Sequence, residues 1–107
     1  MKSFDVKALR KAIHKGNLEW RNHALQRLAE RGISRKKVLS VLFSGERIED
    51  YPDDKSYPSA LFLGFVSGAP LHVVAAFDDA NDFAYIVTAY EPSLEFFESD
   101  YKTRRIK

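Results

Sequence analysis

The sequence predicts an α+β domain in which N-terminal helices pack on a three- to four-stranded antiparallel sheet. Three observations carry this prediction. Apolar residues recur at helical spacing through residues 1–45. From residue 46 the pattern changes to short apolar and aromatic runs divided by turn residues. The chain has 107 residues, 45% of them hydrophobic, which suits one core and one domain. Helices first and a meander second is the α+β order. The expected domain spans 1–107: a helical part over 1–45, an antiparallel sheet over 46–91, and a short C-terminal helix with a basic tail over 92–107.

Ser3 is placed to cap a first helix whose apolar positions are Val6, Leu9, Ala12 and Ile13, with Gly16 ending it. Leu18-Glu19-Trp20-Arg21 reads as an extended connector or a brief strand. Asn22 is a fair N-cap for a second helix carrying His23, Ala24, Leu25, Leu28 and Ala29, which stops at Gly32. Ser34 caps a third, Arg35 to Phe43, with Val38, Leu39, Val41 and Leu42 inward, closed by Gly45. Arg47–Tyr51 reads as an optional edge strand, and Pro52, Asp53, Asp54 and Pro58 punctuate the loop after it. Ser59–Val66 and Pro70–Phe77 read as strands joined by a two-residue turn at Ser67-Gly68. Asp78–Asp82 is a polar turn and Phe83–Tyr90 the last strand. Ser93–Tyr101 reads as one or two helical turns docking Leu94, Phe96 and Phe97. Helices covering one sheet face would leave the other as a shallow groove.

Composition excludes several classes of function. With no Cys there are no disulfides, zinc–thiolate sites or thiol catalysis. The longest apolar stretch, near Ala60 to Val66, contains Gly64 and falls short of the roughly 20 residues of a membrane span. Met1-Lys2-Ser3-Phe4-Asp5 has no apolar run behind its Lys, so a secretory signal is not expected and the cytoplasm is the expected compartment. The three His lack metal-ligand spacing, and there is no phosphate-binding Gly-rich loop and no Gly-x-Ser-x-Gly elbow. The expectation is no metal and no cofactor.

Charge is segregated along the chain. Residues 1–47 carry 12 basic and 4 acidic side chains, a net of +8. Residues 48–101 carry 1 basic and 11 acidic, a net of −10, and residues 102–107 carry 4 basic and none acidic. This is either an anion-binding face or a set of solvated Lys/Arg surfaces interleaved by the fold.

His23, Arg27 and Arg31 stand at i, i+4 and i+8, one helical face. They form either a phosphate-facing triplet or an imidazole packed on the sheet with its Arg neighbours in water. His72 lies within Leu71-His72-Val73-Val74. The Ser67-Gly68 hairpin pairs it with Leu63. If Phe77 pairs with Phe83, Thr88 stands opposite His72 and Tyr90 diagonal to it. On an open face His72 and Tyr90 form an acid–base pair; under helices His72 is a hydrogen-bonded core residue. A one-residue bulge reverses the argument. Tyr57 either stacks on a base or anchors its loop. Lys102, Arg104, Arg105 and Lys107 are a basic tail, either a polyanion contact or a frayed end.

His23-Ala24-Leu25-Gln26-Arg27, Glu30-Arg31-Gly32-Ile33-Ser34, Gly45-Glu46 and Tyr51-Pro52-Asp53-Asp54 occur in order. Tyr57-Pro58-Ser59, Gly64-Phe65, Pro70-Leu71-His72-Val73-Val74 and Thr88-Ala89-Tyr90-Glu91-Pro92 follow. Over residues 17–105 the chain resembles the bacterial domain-of-unknown-function 4258 family. That family is placed with the RelE/ParE toxin superfamily, and its members are often encoded beside a zinc-finger antitoxin like MqsA. The resemblance implies a RelE/ParE-like fold. It also implies the toxin of a type II toxin–antitoxin system, a metal-independent endoribonuclease that cleaves mRNA. The implied partners are RNA, including ribosome-associated RNA, and a cognate antitoxin of zinc-finger or helix-turn-helix type; no membrane is implied.

Such ribonucleases use the 2′-hydroxyl as nucleophile and need a base, an acid and cations on the scissile phosphate. On that reading His23, His72 and Tyr90 are the catalytic residues. Arg27, Arg31, Arg47, Tyr57, Lys102, Arg104 and Arg105 bind substrate. The strands here are poor in Lys and Arg, so the cations must come from the helix and the tail. The alternatives are a non-catalytic RelE/ParE-like toxin or binding module acting on a protein or nucleic-acid target, and a small scaffold whose groove receives a partner segment.

Overall fold

The computed structural model describes residues 4–106. Three helices, α1 (Val6–His14), α2 (Asn22–Arg31) and α3 (Arg35–Ser44), lie against one face of a five-stranded sheet. The strands are β1 (Leu18–Trp20), β2 (Glu46–Tyr51), β3 (Ser59–Val66), β4 (Ala69–Asp78) and β5 (Phe83–Tyr90), in the order β1-β5-β4-β3-β2. The α+β class holds, and the sheet is one strand wider than the widest expectation. The extra strand is β1, which runs parallel to β5 while all other pairs are antiparallel. Gly16, at φ +88, turns the chain out of α1, and Ala84 N–H then donates to the Asn17 carbonyl to start that pairing.

Helix ends follow local chemistry. Asp5 caps α1 by accepting from the Lys7 amide; Ser3 lies outside the described residues. Asn22 is the first residue of α2 rather than its cap, which is Arg21 with no side-chain bond. Ser34 caps α3 as expected, accepting from the Lys37 amide. Gly32 closes α2 in the left-handed conformation. Gly45 lies so close to the sheet that a Cβ there would stand 2.4 Å from the Val41 carbonyl oxygen and 2.6 Å from that of Leu63.

Leu9, Ala12, Leu28, Val38 and Leu42 from the helices meet Phe62, Leu71, Val73, Phe77 and Ile86 from the sheet in one core. Burying side chains such as Phe62 or Leu42 is worth about 1.5–3 kcal/mol each. Strand alternation sends Leu61, Leu63, His72 and Ala76 to the opposite face. Part of that face is roofed by residues 93–106. They hold a single turn and then a narrow hairpin in place of the expected helical turns. The cause is Asp100, whose carboxylate accepts from the Lys102 and Thr103 amides and the Thr103 hydroxyl. Those bonds hold its carboxyl down at about 2. Of the three hydrophobes expected to dock, Phe97 is buried, while Leu94 and Phe96 are exposed. No described helix is long and apolar enough to cross a membrane.

Candidate functional site

The sheet face turned away from the helices divides into a sealed half and an open half. The sealed half is centred on His72, which β4 places between Leu63 on β3 and Tyr90 on β5. Tyr90, not Thr88, is directly opposite. The β4–β5 turn pairs Asp78 with Phe83, one residue away from the expected register, and a bulge then shifts β5 by one more residue after Ile86. The His72 ring has solvent on no side. Phe97 meets it edge-on at 4.7 Å and Tyr90 at 5.3 Å.

Its hydrogen bonds fix its tautomer. Nε2 lies 2.7 Å from the Tyr101 carbonyl oxygen and so must carry the proton. Nδ1 then holds a lone pair and accepts from the Tyr90 hydroxyl at 3.3 Å. Burial pushes the imidazole pKa down, against the opposing pull of the Tyr101 carbonyl and Glu49. Burial likewise pushes the Tyr90 phenol up. The neutral pair is a satisfied core contact beneath a roof.

The roof is held by charge. Arg104 donates to both oxygens of Glu49, at 2.8 and 3.1 Å, and its guanidinium lies 4.9 Å from the centre of the Phe97 ring. Tyr51 donates to Glu49 at 2.5 Å. Burial opposes ionisation of Glu49, but the bonds from Arg104 and Tyr51 outweigh it and hold its carboxyl below the ordinary range. Burial and the Glu49 bond push the Tyr51 phenol up to about 12. Lys102 pairs with Glu46, and Arg105 with Glu98 and the Leu94 carbonyl. Three cations expected to hold substrate, Lys102, Arg104 and Arg105, therefore fasten the C-terminal segment to the sheet and to itself. Lys107 lies outside the described residues.

The open half contains a hollow of about 230 Å³. Arg21 and His23, at the entry to α2, form one wall. Lys55 and Tyr57 from the β2–β3 loop form another, and Tyr85 and Ala76 form the floor. Tyr57 and Tyr85 stack at 5.3 Å with their rings within 5° of parallel. The Arg21 guanidinium lies 4.9 Å from the centre of the Tyr85 ring. Asp78, held ionised first by its bond from Asn81, pushes the Tyr57 phenol up. An exposed imidazole, a guanidinium and an ammonium thus share a cleft with a stacked aromatic pair and one carboxylate, Asp54, which accepts from the Ser59 hydroxyl.

His23, His72 and Tyr90, assigned together to catalysis, and Arg104, assigned to substrate, do not meet at one hollow. His72, Tyr90 and Arg104 are neighbours in the sealed half, whereas His23 and Tyr57 line the open one. Tyr85 and Tyr90, which mark the two halves, are five residues apart on β5, about 15 Å. The other candidates also disperse. Arg27 is exposed on α2 beside Glu30. Arg31 donates to the Ala89 carbonyl and Thr88 hydroxyl and borders a shallow hollow with Tyr90 and Glu91. Arg47 turns to the helix side, where it donates to the Phe4 carbonyl and faces Asp50. Sequence reasoning missed Arg21, Lys55 and Tyr85. Arg21 adjoins His23, which was a usable signal; Lys55 and Tyr85 join them only through loop path and strand register.

A family model described as Domain of unknown function (DUF4258) matches residues 20–91, and no curated protein matches the chain. The matched span contains every residue lining the His23 hollow and excludes the C-terminal roof.

Proposed function

The chain belongs to the DUF4258 family, and on that premise we propose that it binds and cuts single-stranded RNA at the His23 hollow without a metal. Its proposed setting is the cytoplasm, as the toxin of a type II toxin–antitoxin pair with a zinc-finger or helix-turn-helix antitoxin. One observation carries the reading: Arg21, His23, Lys55 and Tyr57 converge on one open cleft beside a tyrosine stack. Stacked phenols are a platform for a base. Cations beside them suit the phosphate that follows it.

The chemistry follows from these groups. An exposed imidazole can serve as a general base and then as a general acid. His23 takes the proton of the 2′-hydroxyl, and the freed oxygen attacks the adjacent phosphorus. The bond to the 5′-oxygen breaks, leaving a 2′,3′-cyclic phosphate, and the departing oxygen takes a proton from Lys55. Arg21 stabilises the negative charge that builds on the phosphoryl oxygens. The upward-shifted Tyr57 phenol stays protonated with its one O–H held by Asp78 and serves as a stacking face, which leaves the Arg21 guanidinium as the placed donor. A placed donor of this kind is worth about 3 kcal/mol of barrier, and a placed base about 10²–10⁴ in rate.

The test is end-labelled single-stranded RNA incubated with the protein in the presence of a chelator, with and without ribosomes. Native protein yields 2′,3′-cyclic ends, and His23→Ala loses about 10²–10⁴ of that rate while still folding. Equal cleavage by His23→Ala refutes the assignment. The roofed His72–Tyr90 pair favours a second reading, a binding module that blocks its target without cutting it, since only one expected imidazole reaches solvent. RNA binding without fragments would select that reading.

A further inference from the structure

A second surface lies away from the RNA hollow, where α1 meets the end of α3. Lys7, Lys11 and His14 stand at i, i+4 and i+7 on the outer side of α1. Their stems, with those of Arg10 and Lys15, wall a groove of about 410 Å³ around Phe43 of α3. The surface inside is almost wholly apolar although five of its six lining residues are basic. The aliphatic stems form the walls and the charged ends stand above them. Phe43 is 41% exposed, a large apolar side chain left outside the core.

Not every cation here is available. Arg10 turns its guanidinium inward and donates to the Leu42 and Gly45 carbonyls at 2.8 Å each, pinning α1 to the end of α3. Lys15 pairs with Asp82. Lys7 and Lys11 have no ion-pair partner among the described residues, and their helix has no acid in its first turn.

We propose that this groove docks an acidic segment of a partner protein. One bulky apolar side chain of that segment seats on Phe43, while flanking carboxylates meet Lys7, Lys11 and His14. Charge complementarity chooses the occupant. Two unpaired ammoniums and an imidazole around an apolar floor match two or three carboxylates about an anchor. The walls are aliphatic stems rather than aromatic faces, which suits a bulky apolar side chain, and a nucleobase stacked on Phe43 is the competing occupant that the RNA arm of the test reads. The surface is independent of the RNA reading, since no groove residue lines the His23 hollow.

The experiment is selection from a random dodecapeptide library on the full chain, followed by titration of labelled synthetic versions of the winners. Enriched peptides should carry at least two Asp or Glu around a Leu, Phe or Trp. Phe43→Ser and the double change Lys7→Glu/Lys11→Glu should each weaken binding by about tenfold or more, with His23→Ala binding as native does. Phe43 is already exposed, so its variant is expected to fold, and a thermal melt checks this. Failure to enrich acidic peptides would overturn the proposal. So would winners that bind both variants unchanged, or a single-stranded RNA that displaces the peptide.

Discussion

Replacing His72 by Ala separates a structural imidazole from a reactive one. The ring is buried, its Nε2–H donates to the Tyr101 carbonyl, and its Nδ1 accepts from Tyr90. Truncation removes a packed ring that Phe97 and Tyr90 both touch, a loss of about 2–4 kcal/mol by comparison with other large-to-small core changes. It also strips partners from a carbonyl and a phenol. Both lie at a part-buried margin that water can re-enter, which adds about 1 kcal/mol. The expected total is about 3–5 kcal/mol, a fall in melting temperature of roughly 15–25 °C for a domain of this size.

The same variant changes the pH dependence. Burial favours the neutral ring, so the folded protein binds the His72 proton less well than the unfolded chain does. The native protein therefore has its full His72 contribution above an unfolded imidazole pKa of about 6.5. It loses stability as pH falls below that value, until the folded ring titrates too. Thermal melts of native and His72→Ala from pH 7.5 to 5 measure both effects, and RNA cleavage is assayed below the variant's melting point. A variant that melts within about 1 kcal/mol of native and yet abolishes cleavage would refute the structural assignment, as would identical pH slopes.

Other expectations follow from the same contacts. Gly45→Ala puts a methyl against the Val41 and Leu63 carbonyls, neither of which can swing aside, and should cost about 3 kcal/mol or more in a denaturant melt. Tyr57→Ala should weaken single-stranded RNA binding by about 1–3 kcal/mol with little change in stability, while Tyr57→Phe keeps the stack and most of the affinity. Glu49→Gln removes the charge that anchors Arg104. The loss should be small, about 1 kcal/mol for a pair whose Arg104 end is exposed, but tryptic cleavage near Lys102 and Arg104 should speed up, and unchanged digestion would speak against the roof.

Features written in short stretches of chain were legible; those set by register or long-range contact were not. The β3–β4 hairpin was readable because Ser67 and Gly68 both adopt positive φ, as a two-residue turn demands, and this fixed Leu63 opposite His72. Tyr90 was misplaced because the β4–β5 turn closes one residue tighter than expected and nothing at Val87 announces a bulge. The pairing of β1 with β5 rests on three residues and a partner more than sixty positions away, a contact no local pattern encodes. Arg104 reads as a free tail cation until Glu49 is seen beneath it. His23 and Tyr57 were both singled out, but their shared hollow depends on the path of the β2–β3 loop and on Tyr85 facing outward.

The most direct measurement is an NMR titration of the labelled protein with a short single-stranded RNA made uncleavable by 2′-O-methylation. Shifts centred on Arg21, His23, Tyr57 and Tyr85, abolished by Arg21→Glu, are the predicted result. Shifts confined to the α1 face, or none at millimolar RNA, would contradict the claim that this cleft receives RNA.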